Sequence, residues 1–307
     1  MKLLKKNFGY KNTVCALGAF DGIHIGHKKI IRETIKIAHK LQAKSIILTF
    51  EPHPKKALAK NNFPLLLTPY YKKIDLIKNL SPDLVLSVDF NTSFANMSAQ
   101  HFIEFILVKK LNIRAIVIGP NFRFGKERIG NIQLLKKFGK LHDFKVVIVQ
   151  PAKINGQIIS STVIRKLITT GKLEKANIFL GRKYSIIGNV IKGIGRGRKL
   201  GFPTANVSIH HEILPPCGVY AVQVIFKNNL YNGICNIGFN PTFIKKKPEN
   251  PIVEVHIINK VFSKPLYGKI LEIIFIKKLR NEKTFANVSD LTKQIAKDKT
   301  SALKYLV

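Results

Sequence analysis

Two histidines and three glycines fall within ten residues near the start of the chain, in Gly18-Ala19-Phe20-Asp21-Gly22-Ile23-His24-Ile25-Gly26-His27. Glycines four residues apart permit a tight turn and let a ligand approach the backbone closely. A helix opening at this point offers free N–H groups and the positive end of its dipole, which suits phosphate. His24 and His27 are three residues apart, so they share one side of the helix start. Two imidazoles there can donate hydrogen bonds to phosphate oxygens as charge develops in a transition state. Gly18, Phe20, Asp21, Gly22 and Gly26 are therefore candidate nucleotide contacts, and His24 and His27 candidate catalytic groups. Without further motifs, the same segment reads as a glycine turn bearing surface histidines.

A second cluster is Ser160-Ser161-Thr162-Val163-Ile164-Arg165. Hydroxyls at a helix start cap it and can bind phosphate. Arg165 is a fixed, bidentate cation that can reach a triphosphate. A third is Gly193-Ile194-Gly195-Arg196-Gly197-Arg198-Lys199-Leu200-Gly201-Phe202-Pro203-Thr204-Ala205-Asn206. Its glycines and arginines can cradle phosphates, which makes Gly193, Gly195, Arg196, Gly197, Arg198, Gly201 and Pro203 candidates. Thr204 and Asn206 are neutral oxygen ligands two residues apart, suited to a magnesium ion that shares ATP phosphates. No Walker Gly-Lys-Ser/Thr follows, and a basic surface hairpin is the plain alternative. Glu254 lies mid-strand between Val253 and Val255, so its carboxylate points away from its apolar neighbours.

The elements that must hold these residues differ between the halves. Short β-branched runs at Thr13–Leu17, Ser45–Phe50, Asp83–Val88, Arg114–Gly119 and Phe144–Val149 alternate with helical patterns at about 26–42, 70–80, 98–111 and 131–141. This alternation predicts an open α/β sheet of parallel strands, with ligands at the carboxyl ends. Beyond about residue 180 come strand runs without intervening helices, at Tyr184–Lys192, Val219–Phe226, Leu230–Ile237, Ile252–Ile258 and Lys269–Ile276. They predict an antiparallel barrel, closed by a terminal helix over Ser289–Leu306. The expected domains are 1–180 and 181–307.

The 307 residues are 46% hydrophobic and 22% charged, a globular composition. No apolar run reaches 18 residues and no signal-peptide core follows the basic N-terminus, so no membrane partner is expected. Cys15, Cys217 and Cys235 form no CxxC pair, and a reduced, cytoplasmic compartment is expected. The net charge is +35. Nucleic-acid binding through phosphate neutralisation is one reading of it. The other is a lysine-rich coding bias, favoured because the lysines are scattered and Trp is absent. No nucleic-acid partner is assigned, although the charge favours acidic ligands such as nucleotides.

The first segment resembles the HxGH signature of the nucleotidylyltransferase superfamily, with Ser160–Arg165 as the second marker. Class I aminoacyl-tRNA synthetases share that signature but need a KMSKS-like loop, which is absent. Phe50-Glu51-Pro52-His53-Pro54 and Gly119-Pro120-Asn121-Phe122-Arg123-Phe124-Gly125 narrow the resemblance to the FMN adenylyltransferase module of bacterial bifunctional flavin enzymes. It implies a Rossmann-like fold, with flavin contacts at His53, Asn121, Phe122 and Arg123. The Gly193–Asn206 segment resembles the riboflavin kinase signature. That family's later motifs recur in order: Pro216–Ala221, Asn236–Phe243, Val253–His256, Leu266–Lys269, Leu279-Arg280 and Lys283–Phe285. The resemblance spans about residues 10 to 300 and makes Glu254 the general base toward the riboflavin hydroxyl. It implies riboflavin, FMN and ATP as substrates, FAD as product, Mg2+ as cofactor, and a monomer or weak oligomer. Two departures are Asn121, where the family often has Asp, and the lysine-bearing loop 259–265, where it is usually acidic. They support one rival reading, an enzyme with only one active half; the +35 charge motivates the other, a basic nucleic-acid-binding protein on the same scaffold.

Overall fold

The computed structural model describes residues 10–58, 65–193, 197, 201–210, 213–239, 251–260 and 262–306. The chain divides into two compact units at Ser161/Thr162.

The first unit carries β1 (Thr13–Leu17), α1 (Ile25–Lys40), β2 (Lys44–Glu51), α2 (Pro54–Leu58), α3 (Tyr70–Lys78), β3 (Leu84–Asp89), α4 (Thr92–Ala95), α5 (Ala99–His101), β4 (Ile113–Ile118), α6 (Ile132–Leu141), β5 (Lys145–Ile148) and the hairpin β6 (Lys153–Ile154) and β7 (Gln157–Ile158). The first five strands form a parallel sheet in the order β3-β2-β1-β4-β5. The order reverses between β1 and β4, which makes the carboxyl end of β1 a topological switch point, where open sheets bind ligands. Buried on both faces, Val14–Leu17 of β1 and Ala115–Ile118 of β4 read as continuous apolar runs, as parallel strands do, while the exposed Arg114 lies near the start of β4. The expected helix at 98–111 is α5 running into a π-helix over Phe102–Lys110. Its buried residues, Phe102, Ile103, Ile106 and Leu107, come in adjacent pairs four apart. The wider i→i+5 winding gathers such pairs on one face.

In the second unit, α7 (Ser161–Thr169, its first residue closing the first unit) and α8 (Leu173–Leu180) precede β8 (Ser185–Ile191), β9 (Ala205–Ile209), β10 (Gly218–Phe226), β11 (Asn229–Gly238), β12 (Ile252–Ile257), β13 (Ile270–Arg280) and α9 (Val288–Leu303). The six strands close a barrel in the order β10-β11-β12-β9-β8-β13. Tyr184, Tyr220 and Phe275 fill its interior with ring contacts. The helix α9 lies over the outer face of β10 and β11, where Ala221 and Ile234 meet Ala302 and Leu306. Arg280 pins α9 by a bidentate bond to Asp298, at 2.9 Å from Nε and 2.8 Å from Nη2.

The sequence pattern predicts five barrel strands; β9 is the sixth. It has one fully buried residue, Val207, and begins inside the Pro-Thr-x-Asn motif, so it carries almost no apolar periodicity. Gly195, Arg196 and Arg198 lie outside the described residues, as do Lys199, Leu200 and 240–250.

Candidate functional sites

The turn after β1 is tightly specified. Phe20, Gly22 and Ile23 all adopt positive φ, at 50°, 87° and 38°. For a β-branched residue such as Ile23 this is a strained conformation, which persists only where the surroundings over-determine it. They do so here. The Asp21 carboxylate accepts the backbone N–H of Leu67 at 2.9 Å and of Thr68 at 3.3 Å. A Cβ on Gly22 would stand 2.7 Å from Leu67 Cδ1. Ser161 Oγ, on the last residue of the first unit, donates to the Asp21 carbonyl at 2.9 Å. Arg165 lies on α7 in the second unit.

His24 is the N-cap of α1, its Nδ1 accepting the His27 N–H at 3.3 Å. With Nδ1 an acceptor, the proton of the neutral ring sits on Nε2. The two imidazoles stack at 3.6 Å between centroids and 19° between planes. Gly26 makes room: a Cβ there would be 3.1 Å from the His24 ring. Phe20 meets His27 edge-on at 5.3 Å, and its side chain belongs to the core. Only its backbone is therefore offered to a ligand. Burial first, and then the neighbouring His24, hold His27 well below the ordinary histidine value.

The other strand ends converge on the same edge. His53 is buried, and its Nδ1 accepts the Lys55 N–H at 3.1 Å, capping α2. A small cleft runs from Ala19 and Asp21 past Glu51 and His53 to Thr68, Tyr70 and Lys73. Lys73, 4% exposed, was not singled out from the sequence. Its ammonium donates to the Phe50 carbonyl at 2.8 Å and stands 3.9 Å from the Glu51 carboxylate. Burial lowers its pKa, partly offset by Glu51 and Asp21. The sequence signal is positional: on α3, Lys73 shares a face with Tyr70, Leu76 and Ile77, where an apolar residue is the norm. Beyond β4, Asn121 and Arg123 are exposed, while Phe122 packs on the core and stacks against Phe124 at 5.5 Å.

In the barrel, register brings the candidates together. Glu254 on β12 pairs with Asn206 on β9 and with Asn236 on β11. Directly paired residues project to the same face. Val253 and Val255 are buried inside, so this polar row lies on the outer face. Gly193 stands against Asn206: a Cβ on it would overlap the Asn206 amide. A Cβ on Gly197 would be 2.9 Å from Thr204 Oγ1. Gly201 turns the chain at φ 80° before Pro203. His256, two residues beyond Glu254, is 8% exposed, with Nδ1 2.9 Å from the Pro203 carbonyl and its ring edge-on to Phe202 at 5.6 Å. Burial holds it below the ordinary histidine value. Among the described residues, no group of three or more His, Cys, Asp or Glu side chains could hold a metal ion. The donors present, the Thr204 hydroxyl and the Asn206 amide oxygen, are hard and neutral, and Asn206 pairs with Glu254 across the ladder. That set fits a magnesium ion carried largely by nucleotide phosphates.

Two candidate phosphate sites, each on its own fold, fit a transferase that uses nucleotides at two places. An FAD synthetase family model matches residues 8–163, and a riboflavin kinase family model matches residues 180–306. The bifunctional riboflavin kinase/FMN adenylyltransferase of Buchnera aphidicola subsp. Schizaphis graminum (strain Sg) is 42% identical over 311 residues, 99% of each chain. That of Bacillus subtilis (strain 168) is 39% identical over 297 residues, 95% of this chain and 92% of its own. A crystal structure from Streptococcus pneumoniae, described as a macrolide-efflux protein, aligns with TM-score 0.85 at 29% identity, over 98% of this chain and 96% of that one. Among the described residues, no helix is long and apolar enough to cross a membrane. The chain belongs to the bifunctional riboflavin kinase/FMN adenylyltransferases. It phosphorylates riboflavin to FMN and adenylylates FMN to FAD, with ATP as donor in both steps.

Proposed function

We propose that the two steps divide along the chain at about residue 180, with adenylyl transfer in 1–180 and riboflavin phosphorylation in 181–307. The observation that carries the assignment is the pairing of Glu254 with Asn206 on the outer face of the barrel. In the kinase half, Thr204 and Asn206 would hold the metal of Mg-ATP, which would neutralise phosphate charge. Gly193, Gly195, Arg196, Gly197, Arg198, Gly201 and Pro203 line the phosphates. Glu254 takes the proton from the riboflavin ribityl hydroxyl as that oxygen attacks the γ-phosphorus, the bond to the β–γ bridging oxygen breaks and ADP leaves. Phosphoryl transfer of this kind is chiefly positioning and charge neutralisation.

In the adenylyltransferase half, an FMN phosphate oxygen attacks the α-phosphorus of ATP and diphosphate leaves. No protein nucleophile is needed. His24 offers Nε2–H, and with His27, Ser161 and Arg165 it stabilises the charge that develops. Backbone of Gly18, Phe20, Gly22 and Gly26, with Ser160 and Thr162, lines the nucleotide. Asp21 acts by holding the turn, since its carboxylate is engaged by Leu67 and Thr68. His53, Asn121, Phe122 and Arg123 border the flavin. The enzyme acts as a monomer or weak oligomer in the cytoplasm, and its charge excess reflects a lysine-rich coding bias rather than nucleic-acid binding.

The purified chain is tested with riboflavin, ATP and magnesium, resolving flavins by chromatography against time. FMN rising first and FAD following supports the scheme. FMN without FAD, or no conversion of either flavin, contradicts it.

A further inference from the structure

Thr204 is an exposed residue between a glycine-bearing loop and the first residue of β9. Its orientation is nevertheless constrained from both sides. Phe202 N–H donates to the Gly197 carbonyl at 2.8 Å, which holds the residue two before Thr204. The Pro203 carbonyl, one peptide before Thr204, is met by His256 Nδ1 at 2.9 Å. A carbonyl oxygen only accepts, so Nδ1 must carry the proton. The ring is buried, and Phe202 braces it edge-on at 5.6 Å, which fixes its plane. His256 sits on β12 in the same facing set as Glu254, and Glu254 pairs with Asn206. One strand therefore carries both the proposed base and a donor that reaches the backbone of the neighbouring ligand segment.

We infer that His256 is a positioning residue for the kinase step: its Nδ1–H fixes the Pro203 carbonyl and so aims the Thr204 and Asn206 oxygens at the metal-nucleotide. The inference rests on the reading of Thr204 and Asn206 as the residues that hold Mg-ATP. It resembles the way outer groups orient metal ligands elsewhere, where removing one costs 10- to 100-fold in affinity or activity as an order of magnitude. His256 touches neither substrate in this role.

The test uses the full chain. His256→Phe keeps a ring against Phe202 but removes the donor. His256→Asn keeps a donor close to the Nδ1 position, and His256→Gln moves it to the far end. For FMN formation, Phe and Gln are expected to raise the KM for Mg-ATP about tenfold, while Asn stays within about twofold of the parent. The KM for riboflavin and the conversion of supplied FMN to FAD stay unchanged. The second readout is independent of turnover. In 15N spectra of imidazole-labelled protein, the resonance lost in His256→Asn reports a neutral ring protonated on Nδ1.

A proton on Nε2 alone overturns the inference, because such a ring cannot donate to Pro203. A fall in kcat with both KM values unmoved, or equal effects of Phe and Asn, shows a structural role and overturns it too. If the Phe variant does not fold, the Asn and Gln pair and the spectrum still decide. Thr204→Ala, measured alongside, separates the two levels. If it raises the KM for Mg-ATP and His256→Phe does not, positioning fails and the ligand reading stands. If Thr204→Ala is silent, the ligand reading fails and takes this inference with it.

Discussion

Asn206 and Glu254 stand directly opposite one another across the β9–β12 ladder. In such a pair the Cβ atoms are about 4.5–5.5 Å apart, a spacing fixed by strand register rather than by loop conformation. A slip of one residue would send Glu254 into the barrel and Val253 or Val255 out, so core burial itself holds the proposed base in place.

The stacked pair at the start of α1 predicts the first kinetic outcome. His27→Ala is expected to lower kcat for FAD formation from supplied FMN by about 10²- to 10³-fold, the usual cost of one stabilising donor. FMN formation from riboflavin should be unaffected. Steady-state assays with each flavin supplied separately check this, and a loss under tenfold would remove His27 from the charge-stabilising set.

His27 also links stability to pH. Burial and His24 hold its folded pKa well below 6.5. In the unfolded chain the ring takes up a proton near 6.5, so below that pH the unfolded state binds more protons than the native one. Stability is therefore fully present above about pH 6.5 and is lost as the pH falls below it. Thermal midpoints measured from pH 7.5 down to 5.5 should decline, and His27→Phe should flatten that decline. An equal decline in the variant would assign the effect to other groups.

Lys73 is predicted to be a strut for the end of β2. Lys73→Met keeps the volume but strands the Phe50 carbonyl, which should cost about 1–3 kcal/mol in denaturant unfolding. Riboflavin phosphorylation should survive in the folded variant. An unchanged unfolding midpoint would mean the ammonium contributes nothing net at this position.

The parallel sheet was legible because Val14–Leu17 and Ala115–Ile118 are continuous apolar runs, with turns at Gly18 and Gly119 marking the ends of β1 and β4. β1 falls where its β-branched run predicts, at Thr13–Leu17. β9 was not legible, because Ala205–Ile209 follows a polar motif and buries only Val207 fully. That omission hid the relation of Asn206 to Glu254, which is a property of register and not of spacing along the chain. The same limit applies to Asp21. Its type suggested a ligand contact, whereas the fold spends its carboxylate on the Leu67 and Thr68 amides. His24 shows both cases at once: spacing revealed its partnership with His27, but not that its Nδ1 is committed to capping α1.

The terminal helix yields a stability prediction. Arg280 and Asp298 are mostly buried, with side chains 16% and 6% exposed. Removing one partner of a buried pair leaves the other charge uncompensated, at a cost of roughly 3–5 kcal/mol. Asp298→Ala should therefore shift urea unfolding of the barrel by about that amount, followed through far-UV dichroism. A shift below about 1 kcal/mol would show that water reaches the guanidinium in place of Asp298.

The central claim is that each half has its own chemistry, with Glu254 as the base of only one. Glu254→Gln keeps the shape and the pairing with Asn206 but removes the basic group. Supplied with riboflavin, ATP and magnesium, this variant should make FMN at least about 100-fold more slowly than the parent. Supplied with FMN instead, it should make FAD at the parent rate. Parallel loss of both conversions in a folded variant, or riboflavin phosphorylation at the parent rate, would contradict the account.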